Sequence, residues 1–158
     1  MTKQITIKSG EFGEFVKVIN VVVQEAWYSI EQCKANPRSI YVFGDNLLRV
    51  GEAGQASIRS CNNAIGIATK KKPSMLKSSF FSDNEYDKLE PFLKKEMDKI
   101  ISIMFSDNVD TLVFPIDGLG TGLSKLPQMA PKVFLALSAL LYKTFGIVTD
   151  QKTYKLSI

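Results

Sequence analysis

Two glycine-rich loops hold the residues of this sequence that are best suited to bind a phosphate. The first loop, Gly44–Gly54, and the second loop, Asp117–Gly122, each follow a short apolar run. Glycine leaves backbone amides unobstructed, so that several of them can converge on one anion. The two loops together predict a site for a phosphate-bearing nucleotide.

The first loop combines polar side chains with spaced glycines. Asp45 and Asn46 stand at the tip of a predicted strand, where they suit the hydroxyl groups of a ribose. A helix start made of small residues follows the glycines and favours anion binding by its amides. The same residues also fit a turn that is capped by Asp and needs no ligand. The ligand-binding residues predicted in this loop are Gly44, Asn46, Gly51, Gly54 and Gln55.

The second loop has glycine at every second position, which is rare in a turn with a structural role alone. No Gly-Lys-Ser/Thr word follows it, which excludes a Walker loop. Its amides instead predict a nest around a diphosphate. The ligand-binding residues predicted in this loop are Gly118, Gly120, Thr121 and Gly122.

Histidine is absent from the sequence, which excludes histidine-based triads and the commonest zinc geometries. Cys33 and Cys61 lack a CxxC spacing and are interpreted as reduced, partly buried thiols. The candidate catalytic residues are therefore the carboxylates of Asp45 and Asp117, which stand at strand tips where they can accept a proton or hold a hydroxyl. Structural capping is the alternative for each. No metal and no cofactor is predicted.

The strands that must position the loops follow from hydrophobic periodicity. Continuous or alternating apolar runs predict strands at 3–7, 15–23, 39–43, 63–68 and 110–116, and the tail at 152–158 predicts an edge strand. The run at 39–43 ends at Gly44, and the run at 110–116 ends at Asp117. Ligands of such sheets bind at the carboxyl ends of the strands, where both loops lie.

The predicted helices complete an α/β fold with a central, largely parallel sheet. A short helix lies between Ser29 and Asn36, and an amphipathic helix spans about 84–105. Pro91 is placed in the first turn of the main part of that helix, after a separate short turn at 83–89. A helix at about 129–145 is apolar over much of its circumference and predicted to be well buried.

Length and composition place the chain among globular proteins. Its 158 residues suit one domain spanning 1–158, and it has neither a membrane-length apolar run nor a signal-peptide core. We therefore expect a cytoplasmic protein without a membrane partner; its oligomeric state is left open. The basic run Lys70–Lys72 is either a solvated loop or a place that attracts anions, where Lys70 offsets phosphate charge.

Parts of both loops resemble the macro domain family. Gly120-Thr121-Gly122, followed by Leu126-Pro127 and an alanine-bearing helix, resembles the phosphate loop of macro domains. The segment from Val42 to Ile58 resembles the macro domain segment in which a strand ends in asparagine, followed by a glycine-rich loop and a helix. The words Phe-Gly-Asp-Asn-Leu and Asp-Gly-Leu-Gly-Thr-Gly-Leu also resemble short proteins of tailed phages and bacteria.

The macro domain resemblance implies a three-layer fold with a central mixed, largely parallel sheet flanked by helices, and ADP-ribose as the ligand. It implies that Asn46 contacts the distal ribose and that Gly51 and Gly54 lie beside the diphosphate. The chain departs from the family pattern at Glu52-Ala53, which interrupts the glycine triplet, and at Phe43, where an asparagine is expected. It also lacks the Gly-Asp-Ile/Val segment that receives adenine, so no residue is predicted to bind the base.

Some macro domains hydrolyse ADP-ribosyl linkages, so the resemblance implies binding of ADP-ribose or a related diphosphate nucleotide, with hydrolysis of its linkage to protein or nucleic acid. The alternative is non-catalytic sequestration of a nucleotide signal, which suits a phage accessory protein in the host cytoplasm. A third interpretation is a Rossmann-like domain of the lysine-decarboxylase-like group. That group requires an arginine and a glutamate near the second loop, and Asp117–Pro127 contains neither.

Overall fold

Five strands form the central sheet of the computed structural model, which covers residues 1–158. In chain order they are β1 (Thr2–Ser9), β2 (Phe15–Gln24), β3 (Ser39–Asp45), β4 (Ala64–Ala68) and β5 (Thr111–Pro115). The spatial order is β1-β2-β5-β3-β4, with β1 and β2 antiparallel and every other neighbouring pair parallel. This confirms the predicted mixed, largely parallel sheet. The carboxyl ends of β2 to β5 therefore meet at one edge.

Helices flank both faces of this sheet. They are α1 (Ile30–Ala35), α2 (Tyr86–Met104), α3 (Leu126–Met129) and α4 (Pro131–Phe145), with single 3₁₀ turns at Gly54–Ile58, Lys77–Ser79 and Asp83–Glu85. The buried stripes of α2 and α4 share one core with Val42 of β3. The opposite face, with Tyr41 and Phe43, packs against Cys33 of α1 and Ile58 of the first 3₁₀ turn. The alternation of Tyr41, Val42 and Phe43 between two cores explains why β3 reads as a continuous apolar run.

The helix at 84–105 is confirmed, but the predicted position of Pro91 is wrong. Ser82 and Glu85 form a capping box around the turn Asp83–Glu85, and α2 begins directly after it at Tyr86. Pro91 consequently lies inside the helix rather than in its first turn. The buried stripe that includes Leu89 and Leu93 continues on both sides of the proline and holds the two turns on the core.

Three other features differ from the sequence prediction: the start of α4, its burial and the pairing of the tail. α4 begins at Pro131 instead of 129, because a residue before proline avoids the helical region and Ala130 has φ −147°. α4 also exposes Leu135 and Tyr142, since only the side facing the sheet and α2 is covered. The tail contributes β7 (Leu156–Ser157), which pairs with β6 (Val148–Thr149) in a separate two-stranded sheet and not with the central one. No helix has the length and apolar character that a membrane span needs.

Candidate functional site

A cleft of about 470 Å³ opens at the carboxyl edge of the sheet, where β3 and β5 separate. The two strands pair only from Ser39 to Tyr41 on β3, so their ends diverge. The 3₁₀ turn that follows β3 packs on one face of the sheet, and α4, which follows β5, packs on the other. A crevice between strands whose connections leave to opposite faces is the usual ligand site of an open α/β sheet. Its volume is that of a small-molecule site.

Two side chains bridge the gap between the diverging strands. Gln55 accepts a hydrogen bond from Gly44 N at 2.9 Å and donates one to Gly118 O at 2.9 Å, which ties the two glycine loops together. Tyr28 Oη donates to Val42 O at 2.8 Å and lies 3.2 Å from Val113 O. Burial raises the pKa of Tyr28 well above its ordinary value, so the hydroxyl remains a donor. The gap is therefore held open by protein groups.

The second loop presents an unbroken series of unpaired backbone amides. The six consecutive N–H groups from Leu119 to Ser124, called here the free-amide segment, donate to no carbonyl and no side chain of the chain. Leu119 and Gly120 are buried residues, and amides in buried residues are almost always paired. Gly120 has φ +75°, and a Cβ there would lie 2.9 Å from Thr69 Cβ, so only glycine fits at this point. An anion is the natural partner for such a series.

Most carbonyl groups of the same loop, unlike its amides, are paired within the chain. Gly120 O accepts from Leu126 N at 2.8 Å, and Gly122 O accepts from Lys125 N at 3.0 Å. Asp117 O, Gly118 O and Leu123 O accept from the side chains of Thr121, Gln55 and Lys70. Five of the eight carbonyls from Asp117 to Ser124 are thus paired, while the amides from Leu119 to Ser124 are not, an imbalance that favours an anion-binding nest.

The first loop adds a shorter series of unpaired amides to the same cleft. The N–H groups of Ala53, Gly54 and Gln55 have no acceptor in the chain, and all three residues line the cleft. Gly44 and Gly120 approach closely, since a Cβ on Gly44 would lie 3.3 Å from Gly120 N. The two loops are close enough to bind one ligand together.

Residues that the sequence analysis did not single out form the remaining walls. Trp27, three residues after the end of β2, lines the cleft and is 81% exposed, and Glu25 lines the cleft as well. Tyr154 also lines the cleft and packs edge-on against Phe134 with ring centroids 5.4 Å apart. Trp27 could have been identified from the sequence, since it follows the carboxyl end of a predicted strand, as both glycine loops do. Tyr154 gives no such signal, because it reaches the cleft through the fold of the tail.

The structure brings most of the predicted site residues together and leaves four outside. The predicted residues that line the cleft are Gly44, Gly54, Gln55, Asp117, Gly120, Thr121 and Gly122. Asp45, Asn46, Gly51 and Gly118 do not line it. Gly118 is occupied by its bond to Gln55, and the carbonyl of Gly51 accepts from Arg59 Nε at 2.7 Å.

Asp45 faces away from the cleft because β3 continues through it. Successive strand residues point to opposite faces, so Gly44 lines the cleft while Asp45 lies on the side of Phe43. Arg59 donates to both carboxylate oxygens, at 2.9 and 2.5 Å, and Arg49 Nη1 lies 3.5 Å from Oδ2. The carboxylate is buried in this ion-pair network, which suits a structural role.

Glu96 of α2 extends the same network. Arg49 donates to its two carboxylate oxygens at 3.2 and 3.0 Å, and the amide of Ala68 donates to Oε2 at 3.2 Å. Arg49 therefore joins the first loop to α2. Its φ of +57° is unusual for a residue with a side chain, and these contacts hold it there.

Asn46 stabilises the first loop from within. Its amide N–H donates to Asp45 Oδ1 at 2.8 Å, and its Nδ2 donates to Val50 O at 2.8 Å. Its Oδ1 is buried without a partner. Asn46 thus closes the turn that carries Arg49, at a place outside the cleft.

The side chains that line the cleft are neutral or acidic. Glu25 and Asp117 are the two charged ones, and no lysine or arginine is among them. No three His, Cys, Asp or Glu side chains lie together as a metal site requires. The donors that line the cleft are therefore backbone amides and neutral side chains, and Lys70, which does not line it, contacts the free-amide segment through Leu123 O at 3.2 Å.

The comparisons with known proteins give one match. A family model described as "Family of unknown function (DUF7831)" matches residues 23–140, a span that contains Trp27 and both glycine loops. Neither a curated protein nor a solved structure matches the chain.

Proposed function

The chain belongs to DUF7831, a family of unknown function, and we propose that it binds ADP-ribose or a related diphosphate nucleotide in the cleft between β3 and β5. The observation that carries this proposal is the free-amide segment: five of its six residues, Gly120 to Ser124, line the same cleft as Ala53, Gly54 and Gln55, whose N–H groups are also unpaired. A diphosphate offers several acceptor oxygens in a row, and backbone amides bind such groups without a positive side chain.

The proposal includes a macro domain-like fold around this cleft. The helices on both faces of a mixed sheet, and the placement of Gly120, Thr121 and Gly122 after β5, agree with what the resemblance implies. The neutral and acidic lining disfavours the Rossmann-like alternative, which requires an arginine at the site.

The exposed ring of Trp27 is the surface on which the base of the nucleotide stacks. Stacking needs an aromatic face that is open to solvent in the free protein, and Trp27 is 81% exposed at the cleft. Glu25, two positions before Trp27, also lines the cleft and supplies acceptors for an exocyclic amino group. These residues take over the base-binding role for which the sequence offers no macro domain motif.

Hydrolysis of an ADP-ribosyl linkage is the catalytic form of this function. Asp117 is exposed at the cleft beside the free-amide segment, where its carboxylate is placed to orient a water molecule and accept its proton. The second candidate, binding without turnover, is favoured by the withdrawal of Asp45 into its ion-pair network. Incubation with an ADP-ribosylated protein and with ADP-ribosylated nucleic acid separates the two, since only a hydrolase adds water across the linkage and releases free ADP-ribose together with the unmodified protein or nucleic acid.

Gly122→Val tests the cleft without disturbing the fold. A Cβ at Gly122 meets no atom within 4 Å, and its φ lies outside the left-handed region, so the valine projects into open space beside the free amides. We expect isothermal titration calorimetry to show a loss of ADP-ribose affinity of about tenfold or more, which is about 1.4 kcal/mol. The melting temperature should stay within about 2 °C of the wild type.

The control for this variant is Ala139→Val, which creates the same side chain at an exposed position of α4. It should bind ADP-ribose as the wild type does. Equal affinity of Gly122→Val and the wild type would contradict binding at the free-amide segment. A wild type that binds neither ADP-ribose, ADP nor AMP would refute the proposed function as a whole.

Trp27→Ala tests the stacking surface. Removal of the ring should reduce ADP-ribose affinity by about 1 to 3 kcal/mol, the range measured for a base stacked on an aromatic side chain. Ribose 5-phosphate, which has no base, should bind the variant and the wild type equally. Phe12→Ala is the control, since Phe12 is 87% exposed in the turn between β1 and β2. An unchanged affinity of Trp27→Ala for ADP-ribose would place the base elsewhere.

A further inference from the structure

Lys70 is a buried cation without a negative partner. Its residue is 5% exposed, and no carboxylate lies within ion-pair distance of its ammonium group. The Nζ atom instead contacts Leu123 O at 3.2 Å, Met75 Sδ at 3.6 Å and the ring of Phe80, whose centroid is 4.6 Å away. Charged side chains are seldom buried unless they are paired, so this arrangement calls for a counter-charge from outside the chain.

The position of Lys70 is fixed from both glycine loops. Its backbone carbonyl accepts from Leu47 N at 2.9 Å, which belongs to the first loop. Its ammonium group donates to Leu123 O, whose own amide belongs to the free-amide segment. Thr69, the residue before it, donates from its amide to Asp45 O at 2.9 Å. The backbone of Lys70 is therefore held by the first loop, and its ammonium group cannot move to the surface without losing its contact with Leu123 O of the second loop.

The electrostatic surroundings of Lys70 add positive charge to a place that already lacks a counter-ion. Burial, followed by the nearby ammonium group of Lys125, lowers the pKa of Lys70. Lys70 and Lys125 thus add positive charge near the free-amide segment, whose unpaired N–H donors likewise favour a negatively charged ligand. The remaining contacts of the ammonium group, a ring, a thioether and one carbonyl, carry no formal charge.

We infer that Lys70 is a positioning residue for the ligand's phosphate, held as an uncompensated charge behind the free-amide segment until the bound anion neutralises it. This inference rests on the proposed function. Lys70 does not line the cleft, so it acts through the Leu123 carbonyl, to which its ammonium group donates, and through its charge. The ligand class that completes this site is a phosphate or diphosphate; a neutral nucleoside leaves the charge uncompensated.

Lys70→Met separates this role from a merely structural one. Methionine keeps the length of the apolar stem and removes the charge, so the free protein should gain stability, with a melting temperature higher by about 3 °C. ADP-ribose affinity should fall about tenfold, since one positive charge near the diphosphate is lost. A residue with a purely structural role would lower the melting temperature when it is replaced. We therefore expect the melting temperature to rise and the ADP-ribose affinity to fall in the same variant.

The control is Lys77→Met, which removes an exposed lysine from the same loop region and should change neither quantity appreciably. An unchanged ADP-ribose affinity of Lys70→Met, a lower melting temperature, or failure of that variant to fold would each overturn the inference. Failure of the proposed function is seen separately, because the wild type would then bind no ADP-ribose before any variant is made.

Discussion

Asp45→Ala should lower the free energy of unfolding by about 3 to 5 kcal/mol, the cost of removing one partner from a buried ion pair. The side chain of Asp45 is 2% exposed, and Arg59 donates to both of its oxygens. Without the carboxylate, the guanidinium group of Arg59 stays partly buried without a counter-ion, and Arg49 loses one of its two acidic partners. Urea unfolding at neutral pH measures the loss.

The chain contains a matched exposed pair for comparison. Asp110 and Arg38 form an ion pair at 2.8 Å with side chains that are 44% and 60% exposed. Because exposed pairs contribute little, Asp110→Ala should cost less than about 1 kcal/mol. Adding Arg59→Met to Asp45→Ala should recover part of the larger loss, since the unpaired charge is then removed.

The same variant decides the role of Asp45. The sequence made Asp45 a candidate catalytic residue, and the structure places it outside the cleft. If Asp45→Ala unfolds at the urea concentration of the wild type yet loses a hydrolase activity that the wild type shows, Asp45 acts in chemistry and the structural interpretation is wrong. A large loss of stability with residual activity in the folded fraction supports the structural role.

The sheet and the position of the site could be predicted because they depend on local patterns. The apolar runs at 39–43 and 110–116 mark strands that are buried on both faces, and their carboxyl ends meet whenever the strands are parallel. Glycines placed directly after such runs therefore lie at one edge of the sheet. The free-amide segment follows from these facts and from the spacing of Gly118, Gly120 and Gly122.

The orientation of Asp45 and the contribution of Tyr154 could not be predicted in the same way. Gly44 was taken as the end of β3, but it stays in the strand because β3 pairs with β4 as far as Asp45, with Gly44 opposite Ile67. That pairing forms only in the folded chain, and it turns Asp45 to the opposite face. Tyr154 reaches the cleft because the tail pairs with β6 rather than with the central sheet. Both features depend on contacts between distant residues.

Raising the pH above 9 should destabilise the fold through Cys33. Burial, and next the neighbouring Cys61, raise the pKa of Cys33 from 9.0 to about 12. Between these values the unfolded thiol ionises while the folded thiol keeps its proton, so the folded state binds more protons. Its stability is therefore complete below pH 9 and falls as the pH rises, by up to about 1.4 kcal/mol per pH unit for this one group.

Other groups act in the same alkaline range, so the measurement has to be a difference between variants. The raised pKa values of Tyr28 and Tyr41 add to the loss above pH 10, whereas the lowered pKa of Lys70 opposes it, because protonated Lys70 disfavours folding. We therefore compare urea unfolding of the wild type and of Cys33→Ala at pH 8 and pH 10 under reducing conditions. The contributions that the two proteins share cancel in the difference. The wild type should lose about 1.4 kcal/mol more than the variant.

Cys61→Ala is the control for this comparison. It should keep most of the pH dependence of the wild type, since burial, and not the neighbouring thiol, is the larger cause of the raised pKa of Cys33. Equal losses in the wild type and in Cys33→Ala between pH 8 and pH 10 would show that Cys33 ionises as readily in the folded chain as in the unfolded one. That result would contradict a tightly packed core between α1 and the face of β3 that carries Tyr41 and Phe43, the face on which Asp45 also lies.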